Sequence, residues 1–198
     1  MASKGQAALD RILDAAAASY VERGPSGTRH RTIAERAGVS RPTVYKYAGD
    51  QEAIARALLE RELDRFFAAV AEVIARELSV RDRFVEALTF TVGYAAEHEL
   101  FQRLLADQPE IVLPWLTTNS APIIDRTVEV ASPQLARAID RGELRRVDPR
   151  VAAEWIARLA ISLITTPSVT TDLTEPARLR RFVDDLFTVG LTSAPEGR

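Results

Sequence analysis

The chain has no cysteine and only two histidines among its 198 residues. The first absence excludes disulfides, thiol nucleophiles and cysteine-based zinc sites. The second leaves no histidine cluster, so no metal and no cofactor is expected. Catalytic signatures are missing as well. There is no glycine-rich phosphate loop, no His-Glu-x-x-His pair and no G-x-S-x-G nucleophile turn. No catalytic residue is therefore assigned, and an enzyme is not expected. Long apolar runs are also lacking. The uncharged stretch Leu159–Thr171 is too short and too polar to cross a bilayer, which takes about 20 apolar residues. The opening MASKGQAALD contains no apolar signal core. A cytoplasmic protein with no membrane partner is the expectation.

What is present is enough apolar surface for a core and an interface, at 46% hydrophobic residues. Net charge is only −2, but it is unevenly divided. Residues 1–50 carry eight cations and five anions, a balance of +3 that leaves −5 for the rest. Arg29, Arg31, Arg41 and Lys46 fall close together. A basic face on an acidic body suits a protein that meets phosphate with one end.

That cluster surrounds the segment TRHRTIAERAGVSRPTVYKY, residues 28–47. Ile33, Ala34 and Ala37 give a short helix an apolar face. Gly38 follows where the chain must leave the helix at positive φ. Val39 is expected as the plug of the turn, and Ser40 as the N-cap of the next helix. Pro42 sits in that helix's first turn, where its missing N–H removes no bond. The second helix turns Val44 inward and carries Arg41, Thr43, Tyr45, Lys46 and Tyr47 outward. A short helix with cations, hydroxyls and phenols on its open face suits the DNA major groove. An ordinary αα-corner with a solvated basic helix is the alternative.

The flanks extend the pattern. Ala7–Arg23 reads as an amphipathic helix ended by Gly24, and Asp50 caps a long helix that starts near Gln51. The run RILDAAAASYVERG…TIAERAGVSRPTVYKY…DQEAIARALLE resembles the N-terminal DNA-binding domain of the TetR (tetracycline repressor) family over about residues 9–60. The remaining 138 residues match only in general layout. Three positions depart from the family pattern. Ala48 stands where an aromatic is usual, Gln51 where a lysine is frequent, and His30 where an apolar residue normally tucks under the first short helix. His30 reads either as a half-buried imidazole bonded to a carbonyl or as a sensor or ligand.

The resemblance implies an all-α protein: a three-helix helix-turn-helix domain over residues 7–50, then a helical effector-binding and dimerisation domain over 51–191. Residues 1–6 and 192–198 are expected as disordered tails. The basic open face places Arg41, Thr43 and Lys46 near base edges. Thr32, Ser40, Tyr45, Tyr47 and Gln51 are expected at phosphates, with Arg29, Arg31 and Pro42 beside them. The expected partner is double-stranded DNA with a palindromic operator. A helical adaptor or ligand-binding protein that keeps the corner without reading DNA is the rival reading.

Beyond Gln51 the pattern stays helical, without strand-like alternation. Helices are expected over Gln51–Leu78, Val80–Glu97, Leu100–Ala106, Pro122–Asp140, Asp148–Thr165 and Pro176–Leu191. Pro109 and Pro114 should break or kink Gln108–Ala121, and Pro133 should kink or split the following helix. His98, between two acids, reads as a surface residue or the mouth of a pocket.

Val151–Ile164 is apolar on most of its circumference, with charge confined to Glu154 and Arg158. Arg180–Asp184 and Arg181–Asp185 are expected as pairs on the outer side of the last helix. These two helices read as a buried pair in a monomer or as a dimer seam through Ile156, Leu159, Ile161, Leu163, Leu179, Phe182 and Leu186. The resemblance implies the seam, a homodimer closed by a four-helix bundle. It also implies a small-molecule effector. Phe67, Val70, Leu88, Thr91, Leu104, Trp115 and Trp155 are the candidate lining of an apolar pocket, or else plain core.

Overall fold

The computed structural model describes residues 4–190. Ten α-helices occur among the described residues: α1 Lys4–Arg23, α2 His30–Ala37, α3 Arg41–Ala48, α4 Gln51–Ile74, α5 Val80–Glu97, α6 Glu99–Asp107, α7 Pro109–Leu116, α8 Ala121–Asp140, α9 Pro149–Thr165 and α10 Pro176–Gly190. Residues 4–6, expected in a tail, form the first turn of α1. The expected tail residues 1–3 and 192–198 lie outside the described residues.

The helices form two compact units. The first comprises the residues up to Arg65 together with Glu97–Thr117; the second comprises Phe66–Ala96 and the residues from Thr118 onward. The 7–50 segment thus lies inside a larger body, because α1 packs on α6 as well as on α2 and α3. Sequence periodicity marks α6 as amphipathic but does not name its partner.

In the first unit, Ile12, Ala16 and Tyr20 of α1 are buried, as are Ile33 of α2, Val44 of α3, Ile54 and Leu58 of α4, and Leu104 of α6. Two buried hydroxyls are absorbed by carbonyls. Ser19 donates to Ala15 at 2.7 Å, and Thr28 donates to Gly24 at 2.8 Å. His98 is half-buried, not a plain surface residue. Its Nδ1 accepts the Phe101 N–H at 3.2 Å and so caps α6, while Nε2 faces Glu62 of α4 at 3.3 Å. Burial pushes the Glu62 carboxyl up, but His98 and Arg65 outweigh it and hold that carboxyl below its ordinary value.

The second unit is built on Phe84, Val85 and Leu88 of α5, Val128, Leu135 and Ala138 of α8, Ala152 and Ala153 of α9, and Leu179, Val183 and Phe187 of α10. Ion pairs tie α5 to α10. Arg81 holds Asp184 through two bonds, 2.5 and 2.7 Å, and Arg180 reaches Glu86 at 2.6 Å. The expected Arg180–Asp184 pair along one helix is therefore replaced by two pairs across helices. Asp184 lies below the ordinary carboxylate range because Arg81 donates to it.

Several helix ends differ from expectation for local reasons. α4 stops at Ile74, four residues short of Leu78, and Ser79 opens the next helix. Ser79 Oγ accepts the Asp82 N–H at 3.1 Å and donates to the Asp82 carboxylate at 2.7 Å, a reciprocal cap. Pro109–Leu116 is a single short helix: Pro109 occupies its first turn, and the break comes after Leu116. α8 runs through Pro133 without splitting. That ring is exposed, and burial of Val128, Leu135 and Ala138 on the other face holds the helix together.

Tyr20 is fully buried, and its hydroxyl has no hydrogen-bond partner among the described residues. Burial also pushes its phenol far above the ordinary value. Tyr20→Phe should therefore raise stability by roughly 1 kcal/mol in urea titration at neutral pH, since an unsatisfied buried group is removed. The raised phenol is a stability contribution present below the unfolded value near pH ~10 and lost as pH rises through it. The variant should lose that alkaline fall. A variant less stable by more than about 1 kcal/mol would mean the hydroxyl is satisfied after all.

Candidate nucleic-acid interface

The helix-turn-helix is held by its turn. Gly38 has φ +65° and its N–H bonds Glu35 at 3.3 Å, while the Val39 N–H bonds Ala34 at 3.0 Å. A residue with a Cβ pays a steric cost at that φ. Val39, expected as a buried plug, is only half-buried. Ser40 Oγ accepts the Thr43 N–H at 3.3 Å, and the two hydroxyls lie 2.7 Å apart. The cap is thus as expected, but it also draws in the Thr43 hydroxyl that was expected near base edges. Pro42 lies in the first turn of α3.

α3 buries Val44 and Ala48 and leaves Arg41, Pro42, Tyr45, Lys46 and Tyr47 exposed. Thr43 is half-buried. The aromatic rings lie under the cations. The Arg41 guanidinium is 5.6 Å from the centroid of Tyr45, and Lys46 Nζ is 5.2 Å from that of Tyr47. Such contacts restrain long side chains without neutralising them. Arg29, Arg41 and Lys46 meet no carboxylate among the described residues. Arg31 faces Glu35 at 3.6 Å with both side chains largely exposed, a pair worth little.

Arg29 stands at the N-cap position of α2, and Thr32 is half-buried on that helix. Arg29, His30, Arg31, Arg41 and Gln51 line an open cleft of about 510 Å³. His30 is half-buried, and its Nε2 lies 3.1 Å from the Gly49 carbonyl oxygen. Its ring also stacks on Tyr45, with centroids 4.2 Å apart and planes 1° from parallel. The carbonyl bond is one of the two readings of this residue; the stack has no signature in the sequence, because it joins residues 15 positions apart across a turn. Gln51, expected at a phosphate, donates its amide to the Pro25 carbonyl and ties the start of α4 to the α1–α2 turn.

The seven candidate pocket residues do not share one unit. Leu104, fully buried, and Trp115 belong to the first; Phe67, Val70, Leu88, Thr91 and Trp155 belong to the second. Leu88 is part of the second unit's core. The Thr91 hydroxyl is turned to the Ala87 carbonyl at 2.7 Å. Trp155 lies on the outer side of α9, 38% exposed, and stacks near Phe84 at 6.4 Å, so it is not an interior wall. The Arg126 guanidinium lies 4.6 Å from the centroid of Phe67, a charge beside these residues that the sequence did not place there. Among the seam residues, Leu179 is buried in its own chain's core, with Ile156, Leu159 and Leu163 packed against that core; Ile161, Phe182 and Leu186 are half-buried. No group of metal-ligating side chains occurs among the described residues, and no helix there is long and apolar enough to cross a membrane.

Comparison with known proteins agrees with this geometry. A profile described as bacterial regulatory proteins, tetR family, matches residues 12–58. A second, described as the bacterial tetracyclin repressor C-terminal domain, matches residues 80–183. An uncharacterised helix-turn-helix transcriptional regulator of Mycobacterium tuberculosis is 28% identical over 197 residues, covering 98% of this chain and 92% of its own. A TetR-family regulator of Pectobacterium atrosepticum has the same fold, with TM-score 0.75 at 21% identity, 98% of this chain and all of the other being covered. So does the TetR-family repressor AlkX of a Dietzia strain, implicated in n-alkane biodegradation, with TM-score 0.63 at 24% identity and 94% of both chains covered. With a buried-backed basic helix at one end and profile matches along most of its length, the chain belongs to the tetR family of bacterial transcriptional regulators, a family of DNA-binding proteins and not of enzymes.

Proposed function

We propose that the chain is a homodimeric repressor that binds a palindromic operator through α3 and is released by a small, mostly apolar effector. One observation carries the DNA half of this reading. The exposed face of α3 and the cleft beside it hold Arg29, Arg41 and Lys46, none of them met by a carboxylate among the described residues. Arg41 and Lys46 are the candidates for base edges. Ser40, Tyr45, Tyr47 and Arg29 are the candidates for phosphates, where charge rather than sequence decides affinity. Arg41→Ala should weaken operator binding by about 1–3 kcal/mol and relax preference at one symmetric position, if Arg41 pairs a guanine. Equal weakening on every duplex would make it a phosphate contact instead. A helical adaptor would show no steep fall of affinity with salt.

A single recognition helix reads few base pairs, so a two-fold partner is needed for selectivity. Half-buried Ile161, Phe182 and Leu186, with exposed Val151 and Trp155, leave apolar surface on α9 and α10 for that partner. Ile161→Asp and Phe182→Asp should each split the dimer, because an unpaired charge in a packed seam is strongly unfavourable. Light scattering of the unaltered protein should give twice 21.9 kDa; a stable monomer of 21.9 kDa at micromolar concentration would contradict the seam.

α4 carries Gln51 at its start and buried Phe67 and Val70 farther along its sequence. An effector lodged against Phe67 and Val70 would act on the helix that begins beside the corner. It can shift operator binding only by its difference in affinity for two states, and about 1–3 kcal/mol of coupling is ample. The alkane connection of the Dietzia neighbour suits an apolar effector. Val70→Trp should abolish the effector response and leave operator affinity nearly unchanged. Effectors found by thermal shift that stabilise the protein without altering operator affinity would refute the switch.

A further inference from the structure

Of the five residues lining the basic cleft, His30 alone can gain or lose a charge near neutral pH. Its ring is fixed on two sides, by the Gly49 carbonyl and by Tyr45. A carbonyl oxygen only accepts, so Nε2 carries the proton in the neutral imidazole. Nδ1 is then the lone-pair nitrogen, with no partner among the described residues. A neutral Nδ1 has nothing to offer a phosphate oxygen, whereas a protonated one donates.

Charged and neutral groups from several elements surround the ring. Arg29 and Arg31 flank His30 in the chain, and Arg41 comes from α3. Tyr45, from the same helix, stacks as a neutral phenol. From the start of α4 comes the uncharged amide of Gln51, and the neighbouring Asp50 carboxylate accepts the Ala53 N–H. On the α1 side of α2, Glu22 and Arg36 satisfy one another at 2.6 Å. Three guanidiniums and no carboxylate share the cleft with His30. A DNA phosphate seated in the cleft reverses that field and supplies an acceptor for Nδ1–H.

We propose that His30 is a phosphate ligand of the operator complex that takes up a proton from solvent as DNA binds. The proposal rests on the DNA-binding reading above and adds a pH dependence to it. The sign follows from the direction of uptake. The complex holds more protons than its separated parts, so affinity rises as pH falls through the imidazole range and flattens on either side. The chain has only two histidines, and His98 lies at the start of α6, bonded to Phe101 and Glu62, which makes it the natural control.

The test uses a duplex enriched by the full-length protein from a random pool. Its dissociation constant is measured from about pH 8 to about pH 5.8 at fixed ionic strength, a span that brackets the ordinary imidazole value near 6.5. For the unaltered protein affinity should rise on acidification, by at most about tenfold per pH unit per protomer. His30→Gln and His30→Phe should lose the slope; His98→Gln should keep it. A flat profile for the unaltered protein overturns the proposal, as does a slope that survives both His30 variants or vanishes with His98→Gln. Should neither His30 variant fold by circular dichroism, histidine Cε1–H titration of the unaltered protein decides. The His30 midpoint must be higher in the complex than in the free protein, and an equal or lower one overturns the proposal. Tight but pH-independent binding removes only the proton uptake. Absence of any selected duplex removes the DNA-binding reading and the uptake together.

Discussion

An eight-residue helix does not hold itself together in water. α3 is that short, so everything it offers outward depends on what it buries inward. Val44 is completely enclosed and Ala48 nearly so, with Ile33 of α2 and Ile12, Ala16 and Tyr20 of α1 buried in the same unit. The burial fixes the rotation of α3 about its axis, and rotation decides which side chains face out. Arg41, Tyr45, Lys46 and Tyr47 are exposed because Val44 and Ala48 are not.

The same unit extends farther than its three amino-terminal helices. α6 and α7 join it, and α6 packs on α1. α4 is held by its buried Ile54 and Leu58 and by polar groups: Gln51 to the Pro25 carbonyl, Arg61 to Asp14, and Glu62 to His98. Polar ties of this kind fix geometry more than they stabilise. The stability of the unit lies in its apolar residues, and these bonds add direction to the packing of α4.

The corner was legible in the sequence because each of its signals has a local cause. Gly38 needs positive φ, Ser40 caps, Pro42 tolerates only a first turn, and Val44 breaks an otherwise polar face. The helix order was legible for the same reason. What periodicity did not give was partnership. It placed Arg180 with Asp184 on one helix, whereas each instead pairs with a residue of α5, roughly 100 positions away in the chain. It grouped Leu104 and Trp115 with Phe67 and Trp155, which fold into different units. The stack of His30 on Tyr45 was invisible too, since contacts across a turn leave no repeat in the sequence. Pro133 did not split its helix, because it lies exposed on a helix whose other face is well packed.

In the function we propose, two copies of α3 read two symmetric half-sites. Selection of bound duplexes from a random pool, followed by sequencing, tests it most directly. Reading by two copies of α3 requires an enriched motif with two-fold symmetry, its half-site centres about one helical turn, or a multiple of it, apart. A pool that stays unenriched, or that yields a single unpaired half-site, would contradict it.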